Sequence, residues 1–154
     1  TLASTNASPG SVGQWSEKVS GMSSVFNKAK NPPMSIHFCW DSVIDKKEYE
    51  TWITLAGDVW KLMLTPYSPP GGGSEKYYLR YLLIGLAPEG KIGVWLEKPD
   101  KPNIRLTDKQ ILIETVSGEK MEMCKGISRH DFSLGDDEYV LEFIKDKKYP
   151  YGNW

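Results

Sequence analysis

The sequence predicts a mainly β fold: a single antiparallel β-sheet domain, either a sandwich or a strongly curled sheet, with one or two short helices. Three observations carry this expectation. Residues 34–40, MSIHFCW, alternate Met34, Ile36, Phe38 and Trp40 with Ser35, His37 and Cys39, which is the period of a half-buried strand. Residues 76–98 set two apolar runs, 77–86 and 92–96, around the corner Ala87-Pro88-Glu89-Gly90. Proline fixes a negative φ and glycine accepts a positive one, so the two runs read as an antiparallel hairpin. Its first arm is apolar at both parities, which predicts a central strand covered on both faces. Finally, short strand candidates recur along the chain without repeated helical crossovers.

Taken in order, residues 1–13, TLASTNASPGSVG, are small, polar and aperiodic, and predict a disordered leader or tether before one β-rich domain at 14–154. The chain starts at Thr1, which predicts an upstream segment removed by processing or cloning. Residues 15–26 space Trp15, Val19, Met22 and Phe26 helically but are rich in serine, so they form a frayed helix or a loop laid on the core. Asn31-Pro32-Pro33 stops that segment. After the strand at 34–40 and a polar connector at 41–48, YETWITL at 49–55 returns as its antiparallel partner. Tyr49, Thr51, Ile53 and Leu55 share one side of that strand, and Trp52 takes the other. Asp58 is placed to cap a short helix bearing Trp60, Leu62, Met63 and Leu64, which Pro66 ends.

The second half reads less cleanly. SPPGGGS at 68–74 is an exposed loop; its three glycines lack the GxxxxGK[ST] frame of a phosphate loop. KPDKPN at 98–103 is a rigid polar link. Ile104, Leu106 and residues 110–116 predict one strand, Ser117-Gly118 a hairpin corner, and EKMEMC at 119–124 the partner strand. Residues 125–137 are turn-like, EYVLEFI at 138–144 is expected to be the last strand, and the tail docks in extended form through Tyr149, Tyr151 and Trp154.

Composition narrows the function classes. A chain of 154 residues is one domain able to bury a core without metals or staples. Nineteen basic against twenty acidic residues leave a net charge of -1, which carries no electrostatic signature for nucleic acid or an anionic membrane surface. Six Trp, eight Tyr and four Phe exceed the obvious needs of the core, and a surplus of rings can form an interface or a sugar-stacking surface.

The two cysteines, Cys39 and Cys124, belong to no CxxC or Cys/His metal spacing. In an oxidising compartment they would close a loop of about 85 residues, contributing a few kcal/mol by loop-closure entropy. In the cytosol they would be two small buried side chains. Both states stay open at this level.

No catalytic set assembles. His37 sits on the minority face of the first strand with only Asp41 near in sequence, and reads as a surface or hydrogen-bonded structural histidine. His130 precedes Asp131 in a polar loop, the sole motivation for a hydrolase or sugar-binding alternative. The chain contains no G-x-S-x-G and no H-E-x-x-H, and its acidic runs at 45–48 and 136–138 read as solvated turns. No cofactor, metal or enzymatic activity is therefore expected. Binding candidates are the loop and tail residues Tyr67, Arg129, His130, Tyr149, Tyr151 and Trp154, since rings outside periodic elements supply interface anchors. Tail rings packed back on the body are an equal alternative.

IGLAPEGKIGVWLEKP at 84–99 resembles a family of uncharacterised Gram-negative lipoproteins, catalogued as domain of unknown function 2931. Gly85, Leu86, Ala87, Pro88, Gly90, Val94, Trp95 and Leu96 fit its turn and flanking strands, while Glu89 replaces a usual glycine. PPMSIHFCWDSVIDKKEYETWITL at 32–55 resembles the family's earlier segment, so the likeness spans about 33–99. It implies a lipid-modified cysteine upstream, with 1–13 as a tether from the outer membrane into the periplasm. It further implies an immunity protein that neutralises a secreted antibacterial effector, such as a phospholipase delivered by type VI secretion, by stoichiometric binding. An envelope lipoprotein or ligand-binding module of unassigned role is the alternative.

Overall fold

The computed structural model describes residues 31–68, 71, 76–100, 102–128 and 130–146. The expected leader at 1–13, the segment bearing Trp15 and Phe26, Arg129, and the tail with Tyr149, Tyr151 and Trp154 lie outside the described residues. Described elements run β1 (Ser35–Ser42), β2 (Lys47–Leu55), α1 (Gly57–Leu64), β3 (Leu82–Ala87), β4 (Lys91–Leu96), β5 (Ile104–Arg105), β6 (Ile111–Ser117) and α2 (Glu138–Ile144). The strands form two separate three-stranded antiparallel sheets, ordered β1-β2-β6 and β3-β4-β5. Neither sheet closes or curls into a sandwich or barrel, which corrects the single curled sheet or sandwich expected above.

The division has a local cause. The run expected as one strand from Ile104 breaks at residues 107–110. There the Gln110 N–H donates to the Thr107 carbonyl at 2.8 Å, and the Thr107 N–H donates to Gln110 Oε1 at 3.0 Å. Before that turn β5 pairs with β4, Leu96 opposite Ile104; after it β6 pairs with β2, Ile111 opposite Leu55. Having left the first sheet after β2, the chain returns to it at this polar turn. As a result β4, not the first hairpin arm, is the central strand of its sheet, and β3 is an edge.

The alternation at the start of the chain does what its period requires. β1 and β2 pair antiparallel from Ser35 opposite Thr54 to Ser42 opposite Lys47, so the ladder extends into the residues expected as connector. One parity faces inward: Ile53 and Leu55 join Val59 and Met63 of α1, Leu79, Val94 and Leu96 of β4, Leu106 and Ile111 in the buried core, with Ile36 and Phe38 packed against it. Burial of these side chains stabilises the fold by about 1.5–3 kcal/mol each before entropy is counted. Asp58 does not cap α1 from outside; it lies in the first turn and its Oδ1 accepts the Val59 N–H at 3.0 Å. No helix among the described residues is long and apolar enough to cross a membrane.

The corner between β3 and β4 bridges the sheets. Glu89 and Gly90 both take positive φ, 65° and 74°. The Glu89 N–H donates to Asp45 Oδ2 at 2.9 Å, and the same oxygen accepts the Tyr49 hydroxyl at 2.6 Å. A Cβ on Gly90 would stand 3.0 Å from both Thr115 Cγ2 and Tyr49 Cε1. The corner is thus seated on β2 and β6, and its glycine is needed for conformation and for space.

Two expected strands take other forms. Residues 118–120 make a 3-10 turn after β6, with Gly118 at φ 61°, and the chain beyond it lies across the first sheet instead of pairing as a hairpin partner. Residues 138–144 form α2, entered at Asp137, whose carbonyl accepts the Leu141 N–H at 3.0 Å. A short apolar run cannot by itself distinguish strand from helix, and the Leu and Glu within this one favour helix.

Candidate functional site

The register of β1 and β2 sets His37 opposite Trp52 and Cys39 opposite Glu50. These side chains alternate away from the core and share the sheet's outer face. A carboxylate there would ordinarily be solvated, yet Glu50 is fully buried. It is covered by residues 121–128, here called the strap, which cross that face after the 3-10 turn.

Three consecutive backbone N–H groups of the strap converge on the Glu50 carboxylate. Glu122 and Cys124 donate to Oε2 at 2.6 and 3.3 Å, and Met123 donates to Oε1 at 3.2 Å. His37 Nε2 lies 2.7 Å from Oε1. Successive amides aimed at one point form an anion-binding nest, and here the anion belongs to the protein itself. Burial pushes the Glu50 carboxyl up, but the amides and the imidazole outweigh it and hold the group below its ordinary value of 4.5. An ionised carboxylate only accepts, so the proton between the two side chains sits on His37 Nε2. A face of the His37 ring stacks on Trp52, centroids 4.6 Å apart and planes at 6°.

Two further ties hold the strap. Cys39 and Cys124 are joined by a disulfide, Cα atoms 5.5 Å apart. At the strap's far end the Ser128 hydroxyl donates to Asp41 Oδ2 at 2.7 Å. Cys39, Asp41 and Glu50 thus each fix one point of a segment with no strand pairing of its own. The strap buries Met121 and Cys124 but leaves Met123 66% and Ile127 58% exposed, and Leu134 beyond it is 84% exposed. Large apolar side chains held in water on pinned backbone are what a preorganised contact surface presents.

The sequence candidates fall in separate places. Tyr67 is half-buried and bridges Tyr77 through paired backbone hydrogen bonds of 2.6 and 3.0 Å. Its hydroxyl donates to Asp100, and with burial and the Asp100 charge the phenol is pushed up to about 12. Lys98 Nζ lies 5.2 Å from its ring centroid, so Tyr67 belongs to a small polar cluster with Asp100. His130 is exposed beyond the strap, its ring edge-on to Phe132 with centroids 4.7 Å apart. Asp131 Oδ1 accepts the Ser133 N–H and hydroxyl at 2.9 and 2.6 Å. Asp131 thus caps its own turn through Oδ1. Cys39 and Cys124 are brought together. Glu50, Trp52 and Asp41 were missed as a set, although once the β1–β2 turn is centred on residues 44 and 45 the register places Glu50 against Cys39.

These features define a β-rich two-sheet domain whose outer face is closed by a covalently and ionically anchored strap. The chain matches the family model described as a protein of unknown function, DUF2931, over residues 2–152, and it belongs to that family. The match extends well past the stretch at 33–99 on which the resemblance rested. No curated protein and no solved structure matches the chain.

Proposed function

We propose that this domain is a protein-binding module that captures its partner stoichiometrically, with the strap as a principal contact surface. The observation that carries this reading is the anchoring of residues 121–128 at Cys39, Glu50 and Asp41 while Met123 and Ile127 stay exposed. A segment already fixed in shape loses little entropy on binding, so its apolar side chains convert burial into affinity efficiently. An interface of this kind buries about 800 Å² per partner and concentrates its energy in a few desolvated anchors. The disulfide suits an oxidising compartment. Within the family resemblance, the finer reading is an immunity protein, lipid-anchored upstream and facing the periplasm, that blocks a secreted antibacterial toxin.

The test is to mix the domain with the product of an adjacent effector gene. A one-to-one complex that survives size-exclusion chromatography and abolishes the effector's activity is expected. Met123→Glu with Ile127→Glu is expected to weaken that complex by about tenfold or more at unchanged melting temperature. Unchanged affinity of the double variant removes the strap from the interface, and absence of any complex removes the immunity reading.

A further inference from the structure

The strap's anchor also gathers metal-ligating atoms. His37 Nε2, a Glu50 carboxylate oxygen and Cys124 Sγ all lie within 4.8 Å of one another, and Cys39 Sγ is bonded to Cys124 Sγ. One imidazole, one carboxylate and one sulfur cluster there, with the second sulfur one bond away, and these are the donor types of a four-coordinate zinc site. We propose that, once the Cys39–Cys124 disulfide is reduced, the protein binds one Zn²⁺ through His37, Cys39, Glu50 and Cys124. Disulfide and zinc are then alternative cross-links for the same strap.

For the His37–Glu50 pair the rearrangement required is small, and Cys39 must swing in once its bond to Cys124 is broken. Zinc with its usual bond lengths to nitrogen and oxygen, about 2.0 Å each, holds those two ligand atoms about 3.3 Å apart. His37 Nε2 and Glu50 Oε1 stand 2.7 Å apart, so the ion enters where the shared proton now lies as the pair opens by about 0.6 Å. Two thiolates on one tetrahedral zinc sit about 3.8 Å apart, a distance reached by side-chain rotation once the bond between Cys39 and Cys124 is broken. Glu50 Oε2 keeps the Glu122 and Cys124 amides, which orient the carboxylate as outer hydrogen bonds do for a metal-bound ligand. Cys39 is exposed and His37 partly so, which leaves a path for the ion.

A dithiol reductant delivers two electrons and two protons to the disulfide, leaving Cys39 and Cys124 as thiols and itself as a cyclic disulfide. Zinc binding releases both thiol protons, and the imidazole proton moves from Nε2 to Nδ1 so that the Nε2 lone pair faces the metal. Three anionic ligands around the dication leave one net negative charge. This inference does not depend on the partner-binding role.

The experiment is to reduce the whole domain with a dithiol, remove the reductant anaerobically, and titrate with Zn²⁺ against a colorimetric chelator. Co²⁺ is used in parallel for its visible tetrahedral thiolate spectrum. One metal per reduced chain and none per oxidised chain is expected. His37→Ala is expected to lower the affinity by about tenfold or more. Hydrogen exchange guards against loss of folding: zinc added to the reduced protein should restore protection at the amides of Glu122, Met123 and Cys124. No metal uptake after reduction, equal uptake by the oxidised chain, unchanged affinity in His37→Ala, or no restored protection would each overturn the site.

Discussion

Cys39 and Glu50 are cross-strand partners in the β1–β2 ladder, and both hold the same segment, one through the disulfide to Cys124 and the other through its carboxylate on the amides of residues 122–124. A single rung of the sheet therefore carries a covalent and an ionic anchor side by side.

Glu50→Gln keeps shape but removes the charge that three amides and His37 face, and it points a donor at groups that themselves donate. Melting temperature is expected to fall by about 5 °C or more. Amide exchange should accelerate first at Glu122 and Met123, with the β1–β2 ladder still protected. Loss of protection throughout the first sheet at the same rate would show that the carboxylate supports the sheet and not the strap.

Acid should loosen the strap. The folded Glu50 carboxyl lies below its ordinary 4.5, and Asp45, held by Ser42, Tyr49 and the Glu89 amide against the opposing effect of burial, also lies below its ordinary 3.8. A depressed folded value means that the stabilisation is complete above the unfolded value and is lost as pH falls through the folded one. Melting curves are expected to be flat down to about pH 5 and to decline steadily below it. Glu50→Gln should flatten part of that decline; an unchanged slope would assign the acid sensitivity elsewhere.

Gly90→Val forces a branched side chain to φ 74° and sets its Cβ 3.0 Å from Tyr49 and Thr115. A loss of at least about 2 kcal/mol is expected from the urea midpoint, combining backbone strain with overpacking. Gly118→Val, at φ 61° with open space around it, isolates the strain and should cost less.

Cys39→Ser with Cys124→Ser removes a cross-link between residues 85 apart in sequence. The entropic account gives a loss of up to about 4.6 kcal/mol in denaturant unfolding. Unreduced, denatured wild-type protein should show no titratable thiol. Two thiols per chain in freshly isolated protein would mean that the reduced form is the resident one.

Much of the first half was legible because period and turn chemistry act locally. The alternation of Ile36, Phe38 and Trp40 fixed the inward parity of β1, and Gly90 marked the corner at its positive φ. What escaped was set by distant partners. Nothing near residues 119–124 reveals that their amides serve a carboxylate some seventy positions earlier, so EKMEMC reads as a strand until Glu50 is in place. The break at residues 107–110 depends on a hydrogen bond that the Gln110 side chain accepts from the Thr107 N–H, which no apolar pattern encodes. EYVLEFI has too few residues for its period to decide between helix and strand. Of the site, the cysteines stood out individually, but Glu50 was hidden because a glutamate in a half-exposed strand is ordinarily just its wet face.

The change of sheet at residues 107–110 also orders events as the chain emerges and folds. β1 and β2 are neighbours and can pair early, but the other edge of β2 stays open until β6 arrives from beyond the whole second sheet. Pairing across so long a loop is slow. Cys124 lies just past the 3-10 turn that ends β6, so docking of that strand carries its sulfur to Cys39. Oxidation of this pair is accordingly a late step, and its completion reports that the first sheet has closed its last gap.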